Sequence, residues 1–306
     1  MTQSPDITAK SWAMVATLGF VWGGTFLVNE LALEGITPFW LAAGRVCFGA
    51  VLSTLVWRLM GGRLFSAPLS RSERLSLVTI ALLSSAVPFS LIAWGQQYVT
   101  AGFTGVSMAS IALMVLPLAH FLVPGERMTW RRALGFVIGF AGVALLMGAQ
   151  AFESSGATLE LPGRLACLAA TACYAVASIL MRRLPAVDPV GLSTVLLLIG
   201  VVAVLPMAWI AEGPPPSTDL RTLGLIVFLG MVPTAAANLL RVTLIRSAGP
   251  VFMSLTNYQV PVWSVLLGAA LLGEPLPPVL LWSLLLILTG VGLSQYGALR
   301  RLFARQ

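Results

Sequence analysis

Residues 101–126, AGFTGVSMASIALMVLPLAHFLVPGE, and residues 248–274, AGPVFMSLTNYQVPVWSVLLGAALLGE, are two versions of one apolar stretch. Each begins with Ala-Gly and ends with Gly-Glu, and the two versions lie 147 residues apart at the start and 148 residues apart at the end. Each is followed by another apolar run that contains Gly-Val, at Gly142 and again at Gly290. The chain is therefore built from two halves with the same plan.

The composition indicates that these apolar runs lie in lipid. The chain has 306 residues, of which 58% are hydrophobic and 9% are charged, whereas roughly a quarter of the residues in a soluble domain are charged. The apolar residues occur in runs of about twenty, which match the hydrocarbon thickness of a bilayer. Strands of a barrel would be shorter and would alternate polar with apolar residues. We therefore expect an all-α membrane protein, because helices satisfy their own backbone in lipid.

The sequence predicts ten spans. They cover residues 11–30, 37–59, 74–97, 101–123, 130–149, 162–182, 189–210, 221–245, 250–272 and 277–297. Five spans per copy is an odd number, so the second copy enters the membrane from the opposite side. We expect a first five-helix repeat at 1–149, an external connector at 150–161 and an inverted repeat at 162–306. Inverted repeats are typical of alternating-access transporters.

The charged residues predict the orientation. Of the 18 Lys and Arg residues, 14 lie at one set of span ends, which we call the basic side. Acidic residues dominate the loops of the opposite, acidic side. This distribution follows the positive-inside rule and predicts that both termini are cytoplasmic. The net charge of +7 is then explained by attraction to the anionic inner leaflet, so a nucleic-acid partner is not indicated. We expect an integral protein of the bacterial inner membrane.

Four prolines mark expected helix interruptions, because a proline inside a helix leaves a carbonyl without its donor. Pro88 and Pro233 lie in the corresponding spans three and eight, and Pro117 and Pro261 lie in spans four and nine. Interruptions in both halves point to gating or hinge elements or to a central site. Packing kinks without a functional role are the alternative.

The ordered motifs resemble the EamA family of the drug/metabolite transporter superfamily, with similarity to its amino-acid exporter branch. Span one carries FVWGGTF at residues 20–26, span two carries Thr37-Pro38 followed by Arg45, and spans four and nine end in Gly-Glu. The second copy departs from the pattern, since Leu196 stands where Arg45 would fall. The resemblance implies a ten-helix bundle with a central cavity and outward transport of amino acids, other metabolites or drugs.

Polar side chains inside the spans are candidates for substrate binding, because such residues are costly in lipid. Asn257, Tyr258 and Gln259 precede Pro261 in span nine, and Asn238 lies in span eight. They could bind a substrate or make hydrogen bonds between helices. We expect Asn257 and Gln259 to face a central cavity.

Arg45 and a set of aromatic residues complete the candidate site. Arg45 lies about 12 Å below the acidic side and could bind a substrate carboxylate or clamp backbone carbonyls. Aromatic rings away from the span ends could line a cavity for an apolar or cationic group. These rings belong to Trp22, Trp94, Tyr98, Tyr174 and Trp263.

The same residues argue against other functions. No aspartate lies in any span, and the nearest glutamates, Glu30, Glu126 and Glu274, lie at span ends, so a buried proton relay of carboxylates is not expected. This favours facilitated diffusion over proton antiport. The chain carries no ATP-binding motif, no nucleophile-base pair and no metal-ligand spacing, so we expect no cofactor and no enzyme activity. The expected function is export of amino acids or similar small zwitterions by a monomer or homodimer. A proton-driven exporter of drugs or other metabolites, and a channel or assembly subunit, are the alternatives.

Overall fold

The structure, a computed structural model, describes residues 7–62, 64–65, 68–123, 128–148 and 159–303. Helices account for nearly all of the described chain. In order they are α1 (Ala9–Leu33), α2 (Pro38–Leu59), α3 (Arg71–Ala81), π1 (Leu82–Ala86), α4 (Val87–Gly95), α5 (Ala101–Ala109), α6 (Ile111–Leu122), α7 (Trp130–Gly148), α8 (Glu160–Met181), α9 (Pro189–Glu212), α10 (Leu220–Leu229), π2 (Gly230–Ala236), α11 (Ala237–Met253), α12 (Thr256–Leu267), π3 (Gly268–Leu272) and α13 (Pro278–Phe303).

The described helices cover all ten predicted spans, and nine continuous helical stretches of the described chain are long and apolar enough to cross a membrane, because Leu220–Met253 runs from span eight into span nine. Span three is α3, π1 and α4, and span four is α5 and α6. Spans eight and nine meet inside α11 at Gly249, whose φ of 86° lies in the left-handed region that favours glycine. The expected fold class is confirmed: the protein is a multi-pass α-helical membrane protein with two inverted five-helix repeats. Most of the expected connector, and the Gly-Glu pair at 125–126, lie outside the described residues.

Several helix starts follow from local sequence. Ser70 and Glu73 form a reciprocal capping box at α3. Asp188 accepts backbone hydrogen bonds at the start of α9, and Asp219 does the same at α10. Pro38 occupies the first position of α2, where a missing N–H costs nothing.

A carboxylate from another helix completes the start of α2. Glu212, the last residue of α9, accepts hydrogen bonds from the backbone N–H groups of Phe39 at 3.1 Å and Trp40 at 3.2 Å. It also accepts the hydroxyl hydrogen of Thr37 at 2.5 Å. The N-terminus of a helix favours negative charge, so Glu212 fixes the beginning of the helix that carries Arg45.

The predicted interruptions are found in part. The segment π1 ends two residues before Pro88, and Pro233 lies inside π2, so spans three and eight are both irregular next to their prolines. The prediction that Pro117 and Pro261 interrupt spans four and nine is wrong, because α6 and α12 continue through them. The breaks occur seven residues earlier, at Ser110 and Ser254.

The chain divides into two compact units, and each contains helices from both halves of the sequence. The first contains α1 up to Phe26, α5 to α7, and the chain from Leu239 through α13. Inside it α7 packs closely on α13. A Cβ added to Gly135 would lie 2.5 Å from the carbonyl oxygen of Gly290. The glycines of the GxxxG spacing, Gly135 and Gly139, are therefore used for packing within this unit.

The second unit runs from Leu27 to Val99 and from α8 to Asn238. Buried residues of α2 and α9, with Ala86 of π1, form one apolar cluster. Residues of α3, α8 and α9 form another, which includes Leu196 at 6% exposure. Because α2 lies between α9 and the π2 segment, the unit surrounds the side chain of Arg45 with packed helix.

Candidate functional site

Arg45 is buried in the second unit, and no carboxylate of the described residues pairs with it. Its side chain is 7% exposed and lies seven residues into α2, about 10 Å from the helix start. Its Nε–H donates a hydrogen bond to the Thr234 hydroxyl oxygen at 2.9 Å, and the guanidinium stacks 4.0 Å from the centroid of the Phe89 ring. The structure gives the two terminal NH₂ groups no hydrogen bond to any residue it describes.

Two other predicted residues lie near this arginine. Tyr174 on α8 interacts electrostatically with the guanidinium. Asn238 donates from Nδ2 to the carbonyl oxygen of Thr234 at 2.7 Å. Thr234 thus connects Asn238 to Arg45, and the second unit brings together three of the ten residues predicted to bind substrate.

Trp94 and Tyr98 form a separate pair in the second unit. Their rings meet edge to face with centroids 5.2 Å apart. A Cβ added to Gly163 of α8 would lie 2.9 Å from the Cβ of Tyr98. Tyr98 is therefore fixed by packing at the acidic end of α4.

The residues predicted in span nine all lie in the first unit, on α12. Asn257 is exposed, whereas Tyr258 and Gln259 are half-buried. A helix rotates by about 100° per residue, so Asn257 and Gln259 point to opposite sides of α12. Among the described residues, neither amide has a hydrogen-bond partner in the structure, and the buried hydroxyl of Tyr258 also has none.

Gln259 and Trp263 pack against α1. Cβ atoms added to Gly19 and Gly23 would lie 2.6 Å and 2.5 Å from the Cβ atoms of Gln259 and Trp263. The ring of Trp263 also meets Phe20 edge to face at 5.3 Å. Trp22 is half-buried on α1 and belongs to the same unit. Gly19 and Gly23, the second of which belongs to the FVWGGTF motif, therefore allow close packing of α1 on α12.

Two residues of the Arg45 cluster were missed by sequence reasoning. Thr234 and Phe89 each follow directly after a span proline, and that position was the available signal. Arg164 is 2% exposed and paired with Glu160 one turn earlier on α8, an ion pair that was also missed. A buried amide pair, in which Asn29 donates to Gln96 at 3.0 Å, was also missed.

The Arg45 cluster has the chemistry of an anion site. A guanidinium presents planar N–H groups that match a carboxylate, and it stays charged when buried. Charge at this depth costs about 2.5–3.5 kcal/mol on insertion scales, which is offset only by a partner, a polar ligand or water. The hydroxyl of Thr234 and the ring face of Phe89 are partial partners, and they leave the terminal NH₂ groups free for a ligand.

Comparisons with known proteins agree with this architecture. The model of the EamA-like transporter family matches residues 10–148 and 161–295. The uncharacterized transporter YoaV of Bacillus subtilis is 21% identical over 94% of this chain and 97% of its own length. The uncharacterized inner membrane transporter YedA of Escherichia coli is 26% identical over 85% of this chain and 82% of its own length. The S-adenosylmethionine/S-adenosylhomocysteine transporter of Chlamydia trachomatis is 22% identical over 92% of this chain and 88% of its own length.

A crystal structure also shares the fold, with a TM-score of 0.66 and 20% identity, over 95% of this chain and 99% of that one. At this identity the likeness concerns the fold alone. The family model, in contrast, covers both repeats and nearly the whole chain. The protein therefore belongs to the EamA-like transporter family.

Proposed function

We propose that this transporter exports amino acids or similar small zwitterionic metabolites by alternating access. The observation that carries the proposal is Arg45, a buried guanidinium with free terminal NH₂ groups and no carboxylate partner in the described chain. A substrate carboxylate would supply the missing charge. The alternative role, clamping backbone carbonyls, has less support, because the hydrogen bond that Arg45 makes goes to a hydroxyl.

The aromatic and amide residues fit the rest of such a substrate. In the second unit, the ring of Phe89 lies against the Arg45 guanidinium, and Tyr174 interacts electrostatically with it. In the first unit, Asn257 and Gln259 have amides without partners in the structure, and Trp22, Tyr258 and Trp263 supply rings on α1 and α12. We assign these residues, each unit taken by itself, to substrate contact in one or more states of the cycle. We assign Pro88 and Pro233, which lie beside or inside the irregular segments π1 and π2, to the segments that move.

A relative gives independent support for the substrate class. The Chlamydia trachomatis protein is named as a transporter of S-adenosylmethionine and S-adenosylhomocysteine. Both molecules carry an α-amino acid group, which is a zwitterion at neutral pH. The family can therefore carry a substrate with the carboxylate that Arg45 is suited to bind.

We place the protein in the bacterial inner membrane with both termini in the cytoplasm. The basic side carries most of the arginines, which favours that side for the cytoplasm. A relative named as an inner membrane transporter supports the location. Export then means that substrate binds from the basic side and leaves at the acidic side. Facilitated diffusion is favoured over proton antiport, because no aspartate lies in a span.

Counterflow in proteoliposomes tests this function. Purified protein is reconstituted with a panel of labelled neutral amino acids, and we expect saturable exchange of at least one. Arg45→Ala should lower the exchange about tenfold or more, the loss expected for a charged hydrogen bond. Arg241→Ala, which removes an arginine near the basic end of span eight, should have a smaller effect. No exchange of any amino acid by folded protein would refute the substrate class, and ohmic flux would indicate a channel.

A pH gradient separates the two coupling modes. Facilitated diffusion predicts the same initial rate with and without an imposed gradient, because no proton is exchanged for substrate. Proton antiport would instead be supported if an inward proton gradient accelerated substrate efflux and if the outside compartment, which receives the substrate, became more alkaline.

A further inference from the structure

The hydroxyl of Thr234 is committed to two hydrogen bonds with opposite roles. It donates its hydrogen to the carbonyl oxygen of Leu229 at 2.8 Å. It accepts the Nε–H of Arg45 at 2.9 Å. A hydroxyl has one hydrogen, so the bond to Leu229 leaves only lone pairs to face the arginine. Thr234 is 3% exposed, and this arrangement is protected from bulk water.

The irregular backbone of span eight creates this arrangement. In a regular helix the carbonyl of Leu229 would accept from the residue four positions later, which is Pro233. Proline has no N–H, and in the π2 segment each carbonyl bonds to the residue five positions later. The carbonyl of Leu229 therefore faces Thr234, and it also accepts the side-chain hydroxyl of that residue. The π2 segment therefore sets the direction in which the lone pairs of Thr234 point.

Two glycines bring α2 against this segment. A Cβ added to Gly49 would lie 2.9 Å from the methyl carbon of Thr234, and one added to Gly230 would lie 2.8 Å from the carbonyl oxygen of Arg45. The helices thus touch through their backbones one turn beyond Arg45. This close contact places Nε within reach of the threonine.

The other half of the sequence contains the same contact without an arginine. Gly200 of α9 meets Ser85 of π1, with 2.5 Å between an added Cβ and the serine hydroxyl. Gly200 is 151 residues after Gly49, and Leu196 is 151 residues after Arg45. Ser85 donates to the carbonyl of Ala81 at 2.8 Å in the ordinary way. The helix contact therefore does not require the arginine, and the bond from Arg45 to Thr234 is an addition specific to one half.

We infer that Thr234 is a positioning residue, which fixes the Arg45 guanidinium so that its terminal NH₂ edge receives a free carboxylate, and that the site thereby selects carboxylates over their amides. This inference rests on the proposed function. Nε is used by Thr234 and one ring face is covered by Phe89. The edge between the two NH₂ groups remains, and it can hold both oxygens of a carboxylate. An amide offers one acceptor and brings an N–H group toward a cation.

Selectivity between an acid and its amide tests the inference. Labelled L-phenylalanine is exchanged in proteoliposomes and competed with unlabelled L-phenylalanine or L-phenylalaninamide. We expect the wild type to prefer the acid. Thr234→Val keeps the shape of the side chain but removes the hydroxyl. It should reduce the preference for the acid about tenfold, which is the effect of one charged hydrogen bond. The reduction should come from a higher KM for the acid, with little change in the maximal rate. Thr234→Ser should restore the preference.

Ser85→Ala is the matched control. It removes the corresponding hydroxyl from the other half and should leave the preference unchanged. The inference is overturned if Thr234→Val keeps the wild-type preference, if Thr234→Ser does not restore it, or if Ser85→Ala lowers it equally. Thermal unfolding of each variant shows whether a lost preference is caused by misfolding. If Thr234→Val is misfolded, the inference stands only if Thr234→Ser has the wild-type preference.

A measurement without substrate separates this inference from the proposed function. In protein labelled with ¹⁵N-arginine, the Nε–H signal of Arg45 is assigned by its loss in Arg45→Lys. We expect slow hydrogen exchange in the wild type and Thr234→Ser, and fast exchange in Thr234→Val. Slow exchange in all three would refute the positioning role even if amino acids are transported. The expected pattern without any amino-acid transport would refute the substrate class and leave the positioning of Arg45 intact.

Discussion

The carboxylate of Glu274 lies on the N-terminus of α5, where it accepts the backbone N–H of Ala101 at 2.6 Å and of Gly102 at 2.9 Å. The Gly-Glu pair that ends the apolar stretch 248–274 therefore binds the Ala-Gly pair that begins the stretch 101–126, inside the first unit. Glu212 does the same for α2 in the second unit. In each unit, the N-terminus of one helix is thus capped by a carboxylate that lies more than 170 residues away in the sequence.

Removing the Glu274 carboxylate should destabilise the protein. Glu274→Ala leaves two N–H groups at a helix start without their charged acceptor, and we expect a loss of about 1–3 kcal/mol. Glu274→Gln keeps an acceptor oxygen but loses the charge that complements the helix dipole, so its loss should be smaller. Thermal unfolding in detergent, followed by the fluorescence of the nine tryptophans, measures both. Equal stability of Glu274→Ala and wild type would contradict a capping role.

The spans could be predicted from the sequence because each one is continuous in the chain. The prediction of 37–59 for span two agrees with Pro38–Leu59, and 189–210 for span seven agrees with Pro189–Glu212. Length and hydropathy determine these positions in a bilayer. The positions of the irregular segments were harder to predict, because π1 and π2 lie near prolines whereas Pro117 and Pro261 lie inside regular helix.

The contacts around the site could be predicted only in part. Arg45 was identified because a charge deep in a span needs a partner. Its partner, Thr234, is 189 residues away, and the bond depends on the register of a π segment that composition does not reveal. Asn257 and Gln259 looked like one cluster in the sequence, but a rotation of about 200° along the helix separates them.

Two glycines of α13 should respond to alanine with opposite signs. A Cβ added to Gly290 would lie 2.6 Å from the Cα of Gly139 and closer still to the carbonyl oxygen of Gly135. Gly290→Ala should therefore destabilise by about 1–3 kcal/mol, as overpacking does. Nothing lies within 4 Å of a Cβ added to Gly297, and Gly297→Ala should stabilise by up to about 1 kcal/mol through helix propensity.

Thermal unfolding of the two variants measures the difference. Gly297→Ala serves as the control for glycine replacement within the same helix. If Gly290→Ala is as stable as Gly297→Ala, then α7 and α13 do not pack as closely as the structure has them.

Both termini should be cytoplasmic. The prediction follows from the arginine-rich basic side and from the even number of spans, which returns the chain to the side where it began. A fusion of alkaline phosphatase after Gln306 should be inactive in a bacterial host, and a fusion of green fluorescent protein at the same place should fluoresce. The reverse result would invert the topology and make Arg45 face the cytoplasmic half of the membrane.

Replacement of Pro233 should change stability and transport in opposite directions. Pro233→Ala supplies an N–H that can bond to the carbonyl of Leu229, and it removes a residue that costs about 3 kcal/mol in a helix interior. The variant should therefore unfold at a higher temperature than the wild type. The same N–H competes with the hydroxyl of Thr234, which now bonds to that carbonyl at 2.8 Å. Once that bond is lost, the hydroxyl can rotate and hold Arg45 less firmly, so the apparent KM for an amino acid should rise.

Pro117→Ala is the control, because Pro117 is another span proline and lies within regular α6. This variant should share the gain in stability without the rise in KM. If Pro233→Ala transports with an unchanged KM, the π2 segment does not act through Thr234.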